Sequence, residues 1–168
     1  MRSLIAALAG LSVLAACSQP QAEENAGGWT IVEAESTLTF DTVKNGDIDE
    51  THELSGISGF SDADGSIRIT LDLNSVETFI DIRNERMREH LFQTSENPVA
   101  EVRAEYDLST LEDMAVGASL DVGLPFILTM RGVAVDFSAD VRITRLDADR
   151  VRVQSAQPVQ ISALALDL

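Results

Sequence analysis

Apolar and polar residues alternate along most of this chain with a period of two, which is typical of β-strands. In Ser66–Asn74 the odd positions from Ile67 to Leu73 are apolar and the even positions are polar. The alternation continues on even positions of 118–130, on odd positions of 133–143, and in a third run, Val151–Ile161. Long runs with one apolar face and short polar turns predict an all-β fold, in which antiparallel strands form a barrel or a strongly curled sheet.

The preceding part of the chain has the same character with more interruptions. Two short strands are predicted on either side of Glu33–Ser36, and Val99–Leu108 is a further alternating strand. Asn45-Gly46 and Asp62–Gly65 are turn sequences. The glycine-rich stretch Leu54–Phe60 predicts a bend at a place where the sheet curls.

One segment, Ser75–Pro98, breaks the β pattern. Its charge is dense and its alternation stops, so we predict a short helix over Glu85–Leu91, capped by Asn84 and prevented from continuing by Pro98. Lying between two predicted strands, the segment is expected to be a helical crossover on a β-barrel.

The N-terminus predicts export and a lipid anchor. Arg2 precedes the apolar run Leu4–Ala16, which is shorter than the ~20 residues needed to cross a bilayer but suits a signal peptide. Residues 14–17, Leu-Ala-Ala-Cys, resemble a bacterial lipobox, which implies cleavage after residue 16 and lipidation of Cys17. The alternative is an ordinary signal peptide in which that cysteine is incidental.

These features predict three parts of the chain: a signal peptide (1–16), a flexible tether (17–28) and one folded domain (29–168). The polar tether contains Pro, Gly and Glu and shows no apolar periodicity. The expected location is the periplasmic face of the bacterial envelope, attached through two or more acyl chains. Because Ser18 rather than Asp follows the cysteine, the outer membrane is expected.

Composition narrows the classes of function. With 28 acidic and 12 basic residues, the formal net charge of −16 argues against nucleic-acid binding and against direct adsorption to anionic lipid. A single cysteine excludes a disulfide within the chain. We find no nucleophile elbow, phosphate loop or metal-ligand spacing, and we interpret His52 and His90 as surface or helix-face residues. The sequence therefore predicts no enzyme activity, cofactor or metal site.

Several motifs resemble the YceI family of periplasmic, lipocalin-like proteins. These are Ser75–Thr78, Arg83–Arg86, Leu91-Phe92 and Asn97-Pro98, together with the opening Trp29–Val32 and Ser36–Phe40. The family often has Gly where Phe79 stands and Asp where Asn84 stands. The family pattern also continues past the point corresponding to Leu168, so we expect the barrel to close incompletely or differently at its C-terminal end.

The resemblance implies an antiparallel β-barrel with one helical crossover, enclosing an apolar tunnel for an isoprenoid, such as a quinone or polyprenyl chain. The periodicity alone leaves open a second possibility, a solid barrel core in a structural or partner-binding envelope lipoprotein. The oligomeric state is also left open, a homodimer included.

Residues on the apolar strand faces are the candidates for lining such a tunnel: Phe40, Ile67, Ile69, Leu71, Leu120, Val122, Leu124, Phe126, Leu128, Val135 and Phe137. Arg83 and Arg86 are candidates for its mouth, where an arginine could hold a polar head group. The alternative for these arginines is ion pairing on the helix surface.

Overall fold

The computed structural model describes residues 28–44 and 48–168. Its strands, in chain order, are β1 (Leu38–Lys44), β2 (Ile48–Leu54), β3 (Ile57–Ser61), β4 (Ser66–Asp72), β5 (Val76–Glu77), β6 (Val99–Glu105), β7 (Ser119–Met130), β8 (Val133–Arg145) and β9 (Val151–Ser155). Helix α1 (Asp81–Arg86) continues as a π-helical segment, Met87–Phe92, and α2 is Ser109–Glu112. Short 3-10 turns occupy Glu33–Glu35, Leu73–Ser75 and Ala163–Leu166.

The strands form two antiparallel sheets. One has the order β1-β2-β5 and the other the order β3-β4-β6-β7-β8-β9. The chain passes from one sheet to the other between β2 and β3, at Gly56, where a side chain would collide with Asp72. The predicted bend in Leu54–Phe60 is therefore confirmed, and the result is an open, curled half-barrel.

The closure of the barrel is incomplete, as the sequence predicted. In the part of the chain that the structure describes, no ladder joins β1, an edge strand of the small sheet, to β9, an edge strand of the large sheet. Instead, the segment before β1 crosses toward the β8–β9 end, where Arg145 lies over the Trp29 ring and Arg150 pairs with Glu35 at 2.6 Å. These side chains connect the segment before β1 to β8 and to the β8–β9 turn, and the bridge between Thr30 and Phe60 pairs the backbone of the same segment with β3.

The base of the half-barrel is filled by the crossover and by the C-terminal 3-10 turn. Met87 and Phe92 from the π-helical segment, and Leu166 from the C-terminal turn, belong to the main apolar cluster. The guanidinium group of Arg131 donates to the carbonyl of Asp167 at 2.7 Å, which fixes the C-terminal segment beside the β7–β8 turn. This segment supplies core at the end where we expected the barrel to close incompletely or differently.

Three local predictions were wrong. Of the two short strands predicted around Glu33–Ser36, only the second forms, as β1, because the segment before it makes an isolated bridge between Thr30 and Phe60. The helix begins at Asp81 rather than Glu85, so Asn84 is a buried residue within it and not its cap. The third long strand ends at Ser155 and does not reach Ile161. Pro158 lies in the part that is not a strand, and a proline cannot donate to a ladder. The predicted turn at Asn45-Gly46, the signal peptide and most of the tether lie outside the described residues.

Candidate functional site

The predicted lining residues of the large sheet share one face because of the strand register. Ile67 lies opposite Ala104, Ala104 opposite Phe126, and Phe126 opposite Phe137. The next row on the same face contains Ile69, Val102, Leu128 and Val135. We call this surface the inner face, because the main apolar cluster packs against it. Phe40, from the small sheet, also packs on this cluster.

Burial along the inner face is uneven, because Ala139, Val141 and Ile143 of β8 at the upper end are buried, as the base is, while the residues between are less covered. Leu71 and Leu128 near the base are buried, whereas Leu120, at the other end, is 36% exposed. The lining candidates between them are only half-buried: Ile67, Ile69, Val122, Leu124, Phe126, Val135 and Phe137. A barrel filled with its own side chains would bury these apolar residues completely. The middle of the inner face, between the main apolar cluster and the cluster formed with Leu111, is therefore incompletely covered.

A cavity of about 470 Å³ opens beside β6 and β7. The ladder between these strands stops at Ala104 and Phe126, and β7 continues beyond it paired only with β8. The cavity lies at this separation. Pro125, which directly precedes the last paired residue of β7 in the sequence, has no N–H to donate to a ladder. The Phe126 and Phe137 rings stack with centroids 5.7 Å apart and form part of its apolar wall.

Charged residues surround the apolar wall of the cavity. Arg68, Arg103, Glu105 and Asp136 line it together with Asp62 from the β3–β4 turn. These residues alternate with the inner-face residues along the strands, so the cavity contacts both faces of the sheet. Such a site can accept an apolar chain from the side.

The upper end is partly covered by α2. Leu111 of α2 is buried against Val141 and Ile143, and Val122 and Leu124 pack beside this second apolar cluster. Two of the predicted lining residues therefore pack against the cluster to which Leu111 of α2 belongs.

The structure separates the two arginines that were candidates for the tunnel mouth. Arg83 is partly buried, its guanidinium group lies 2.7 Å from the Glu50 carboxylate, and it donates to the Thr78 carbonyl at 3.0 Å. Arg86 is exposed. The two residues therefore occupy different environments.

Arg83 is oriented by a buried hydrogen-bond network at the start of α1. The side-chain oxygen of Asn84 accepts from the Thr78 N–H at 2.8 Å and from the Thr78 hydroxyl at 2.6 Å. The Asn84 amide donates to the Glu77 carboxylate at 2.9 Å. The hydrogen bond from Asn84 is the largest cause that lowers the pKa of Glu77 below its ordinary value, and the hydrogen bond from the Phe79 N–H is the second.

The interpretation of His52 as a surface residue was wrong. The residue is only 2% exposed, its Nε2 lies 2.9 Å from the Thr42 hydroxyl, and its ring meets Phe40 edge-on at 5.2 Å. Burial, and then the nearby Arg83 charge, lower the pKa of His52 below 6.5, so the ring is neutral at pH 7. The alternation contained the signal for this position, because His52 has the same parity as the buried Leu54.

The described residues contain no group of three or more potential metal ligands. Among the same residues, no helix is long and apolar enough to cross a membrane. Cys17, the predicted lipidation site, lies outside them.

Comparison with known proteins adds a family and a structural relative. The model of the YceI-like domain matches residues 29–166. A polyisoprenoid binding domain from Saccharophagus degradans implicated in plant cell wall breakdown is 32% identical, with a TM-score of 0.77 over 84% of this chain and 81% of that chain.

Two other comparisons add little. BcnA from Burkholderia cenocepacia is 12% identical, with a TM-score of 0.33 over 70% of this chain and 64% of that one, a likeness too weak to support an inference. No curated protein matches the chain. The family model spans almost the whole folded domain and the Saccharophagus domain shares its fold, so this chain belongs to the YceI-like domain family.

Proposed function

We propose that this protein binds and carries a long apolar molecule, an isoprenoid, a quinone or another lipid, on the inner face of its curled sheet. The observation that carries the proposal is the set of inward apolar side chains left half-buried, three of which, Ile67, Phe126 and Phe137, line a cavity of about 470 Å³. The related Saccharophagus domain, described as polyisoprenoid binding, supports the same ligand class. The protein acts as a binding protein and not as an enzyme.

Burial of an apolar chain provides the binding energy. Each CH₂ group removed from water contributes ~0.8 kcal/mol, so a few isoprene units against the inner face outweigh the usual costs of association. The rival function is that of a structural lipoprotein with a solid core. The half-buried apolar residues between Leu120 and Leu128 argue against it, because a solid core would bury them.

The decisive test of this function is organic extraction of the purified mature protein, followed by mass spectrometry and by uptake of an added polyprenyl chain. We expect a co-purified or readily acquired apolar lipid. Finding no bound lipid, together with no uptake of an offered chain, would refute the proposal.

A pair of tryptophan variants tests where on the protein the apolar ligand binds. Ala104→Trp places an indole ring in the cavity wall and is expected to reduce uptake strongly. Ala134→Trp, the same change at an exposed position of β8, is the control and should leave uptake unchanged. Circular dichroism checks that both variants fold. Equal uptake of the polyprenyl ligand by two folded variants would show that the ligand binds away from this cavity.

We further propose that lipidated Cys17 and the tether up to residue 28 hold the domain at the periplasmic face of the envelope, at the outer membrane. The support is the sequence of residues 14–17. Cys17→Ser should abolish incorporation of labelled fatty acid and release the protein from the membrane fraction. Density-gradient separation of the two membranes tests the location, and retention of the serine variant in the outer-membrane fraction would contradict the anchor.

A further inference from the structure

A break in the large sheet connects its two faces. Among the described residues, the ladder between β6 and β7 ends at Ala104 and Phe126, and β7 continues beyond it along β8. Ala104 and Phe126 line the cavity at this break from the inner face, and Pro125 and Ile127 line it from the opposite, outer face. A cavity lined by both sets of residues crosses the sheet. We call this opening, between Pro125 and the end of β6 at Glu105, the slot.

The hairpin between β7 and β8 determines which backbone groups of β7 point into the slot. Its two-residue turn, Arg131-Gly132, has φ values of 50° and 77°, as tight hairpins require, and Met130 pairs with Val133. In such a hairpin the flanking pair exchanges hydrogen bonds, and every second pair after it does the same. The even-numbered residues of β7 therefore bond to β8, and the odd-numbered residues direct their N–H and C=O groups toward β6.

Pro125 is the odd-numbered residue at which the ladder to β6 stops. The register that pairs Ala104 with Phe126 would place Pro125 opposite Glu105. At this position the residue of β7 would donate its N–H to the β6 carbonyl, and proline has no N–H. The chain leaves β6 after Glu105 and continues into α2. The slot therefore opens where the register places a residue without a donor.

The slot provides an apolar path from one face of the sheet to the other. On the outer face Ile127 is 41% exposed, and Pro125 is also exposed. The stacked rings of Phe126 and Phe137 continue the apolar surface on the inner face. The charged residues of the cavity form the rim of this path. Long charged side chains can keep their ends in water while their apolar stems contact a passing chain.

The other sides of the half-barrel are filled or bridged by described side chains. The crossover and the C-terminal 3-10 turn fill the base. Leu111 and Trp29 belong to the apolar cluster at the upper end. Arg150 pairs with Glu35 between the β8–β9 turn and the segment before β1. Passage at any of these places would displace packed or paired side chains, whereas passage through the slot requires only that β6 and β7 move apart.

We propose that the slot is the route by which the apolar ligand enters and leaves, passing sideways through the sheet between β6 and β7 to reach the inner face. This inference rests on the proposed function, because it supplies the path to the surface on which the ligand binds. A residue of the route controls the rates of binding and release together, whereas a residue of the binding surface changes the affinity.

The test restores the missing donor with Pro125→Val. We expect the amide at position 125 to be protected from hydrogen exchange, because it can now donate to the carbonyl of Glu105. Stopped-flow fluorescence then measures binding of a fluorescent chain of four isoprene units to the full mature protein. Association and dissociation should both slow about threefold to tenfold, since one net hydrogen bond must break before the strands separate, and Kd should stay unchanged.

A second variant obstructs the slot without changing the backbone. Ile127→Trp places an indole ring at the outer mouth and should also slow both rates with little change in Kd. It provides the result if Pro125→Val does not fold. Two matched controls should leave both rates unchanged. They are Pro158→Val, at an exposed position outside the strands, and Ala134→Trp, at an exposed outer-face position of β8 that does not line the cavity.

The possible outcomes separate this route from the proposed function. If the wild-type protein does not bind the chain, the proposed function fails. If it binds, but folded Pro125→Val and Ile127→Trp bind and release the chain as fast as the wild type, the proposed function stands and the route is overturned. A change in Kd that comes from one rate alone would assign the slot to the binding surface, and this result would also overturn the route.

Discussion

At the scale of single residues, Phe79 is the clearest departure from a relaxed backbone. It has a φ of 61° and its side chain is 71% exposed, so a left-handed conformation is maintained without a packing gain. The neighbouring Thr78–Asn84 network fixes the chain on one side of it. The resemblance to the YceI family already pointed to this position, where glycine is common.

We therefore expect Phe79→Gly to stabilise the protein by a few tenths to about 1 kcal/mol. Relief of the left-handed strain, about 1–2 kcal/mol, exceeds the added flexibility of the unfolded chain, about 0.5–1 kcal/mol. Urea denaturation measures the change. Gly132→Ala is the matched opposite, because Gly132 has a φ of 77° with no atoms within 4 Å of an added Cβ, and it should destabilise. Destabilisation by Phe79→Gly would show that the phenyl ring contributes a contact.

His52 is expected to make stability depend on pH in a window that begins near 6.5. Its pKa in the folded protein is lowered, mainly by burial and then by Arg83, so the unfolded chain takes up the proton first as the pH falls. The stabilisation is complete above pH 6.5 and is lost as the pH falls from there through the native pKa.

Thermal unfolding between pH 7.5 and 5 measures this effect. His52→Phe should flatten the decline in Tm over this range, whereas the exposed His90→Gln should leave it unchanged. Identical slopes in the wild type and His52→Phe would mean that another group causes the decline.

At the scale of elements, the sequence predicted the strands better than the helix. Strands β7 and β8 match the predicted alternation almost to the residue, because each position faces either the core or solvent. The start of α1 was misplaced because Asn84 has the side chain of a typical cap. In the structure this side chain instead accepts buried hydrogen bonds from Thr78, six positions earlier in the sequence. Local pattern cannot distinguish a capping amide from one whose partner, Thr78, lies in the preceding turn.

This network gives a prediction at the element scale. Asn84→Ala leaves the buried Thr78 N–H without its acceptor, and we expect a loss of about 1–3 kcal/mol in the free energy of unfolding. Asn84→Asp keeps an acceptor for Thr78 but puts a second carboxylate beside Glu77, so its cost should decrease as the pH is lowered and one of the two carboxylates is protonated. Denaturation with urea compares the variants, and an alanine variant within about 0.5 kcal/mol of the wild type would contradict this role.

The candidate site was only partly predictable for a related reason. The inner-face residues follow from alternation, since a one-residue shift would turn the whole apolar set outward. The contact between Arg83 and Glu50 does not, because these residues are far apart in sequence and meet only when α1 packs beside β2. His52 was misjudged because it was interpreted only from the lack of metal-ligand spacing, and no strand was predicted over Ile48–Leu54.

At the scale of the whole molecule, the most pronounced feature of the composition is the excess of acidic over basic residues. The net charge of −16 produces repulsion across the folded surface that the isolated ion pairs do not cancel. The side chains of Arg142 and Asp121 form a bidentate pair at 2.7 and 2.8 Å across β7 and β8, with both groups largely exposed. This pair lowers the pKa of Asp121, but an exposed pair contributes little to stability.

Two single variants of this pair separate local pairing from net charge. Arg142→Gln and Asp121→Asn break the same contact, but the first makes the net charge more negative and the second makes it less negative. At low salt, where the screening length is about 30 Å, Arg142→Gln should therefore have the lower Tm. At about 1 M NaCl, where that length is about 3 Å, the two Tm values should converge and the Tm of the wild type should rise. If the variants differ equally at both salt concentrations, a local effect of the substituted side chains and not the net charge causes the difference, because both variants lose the same contact.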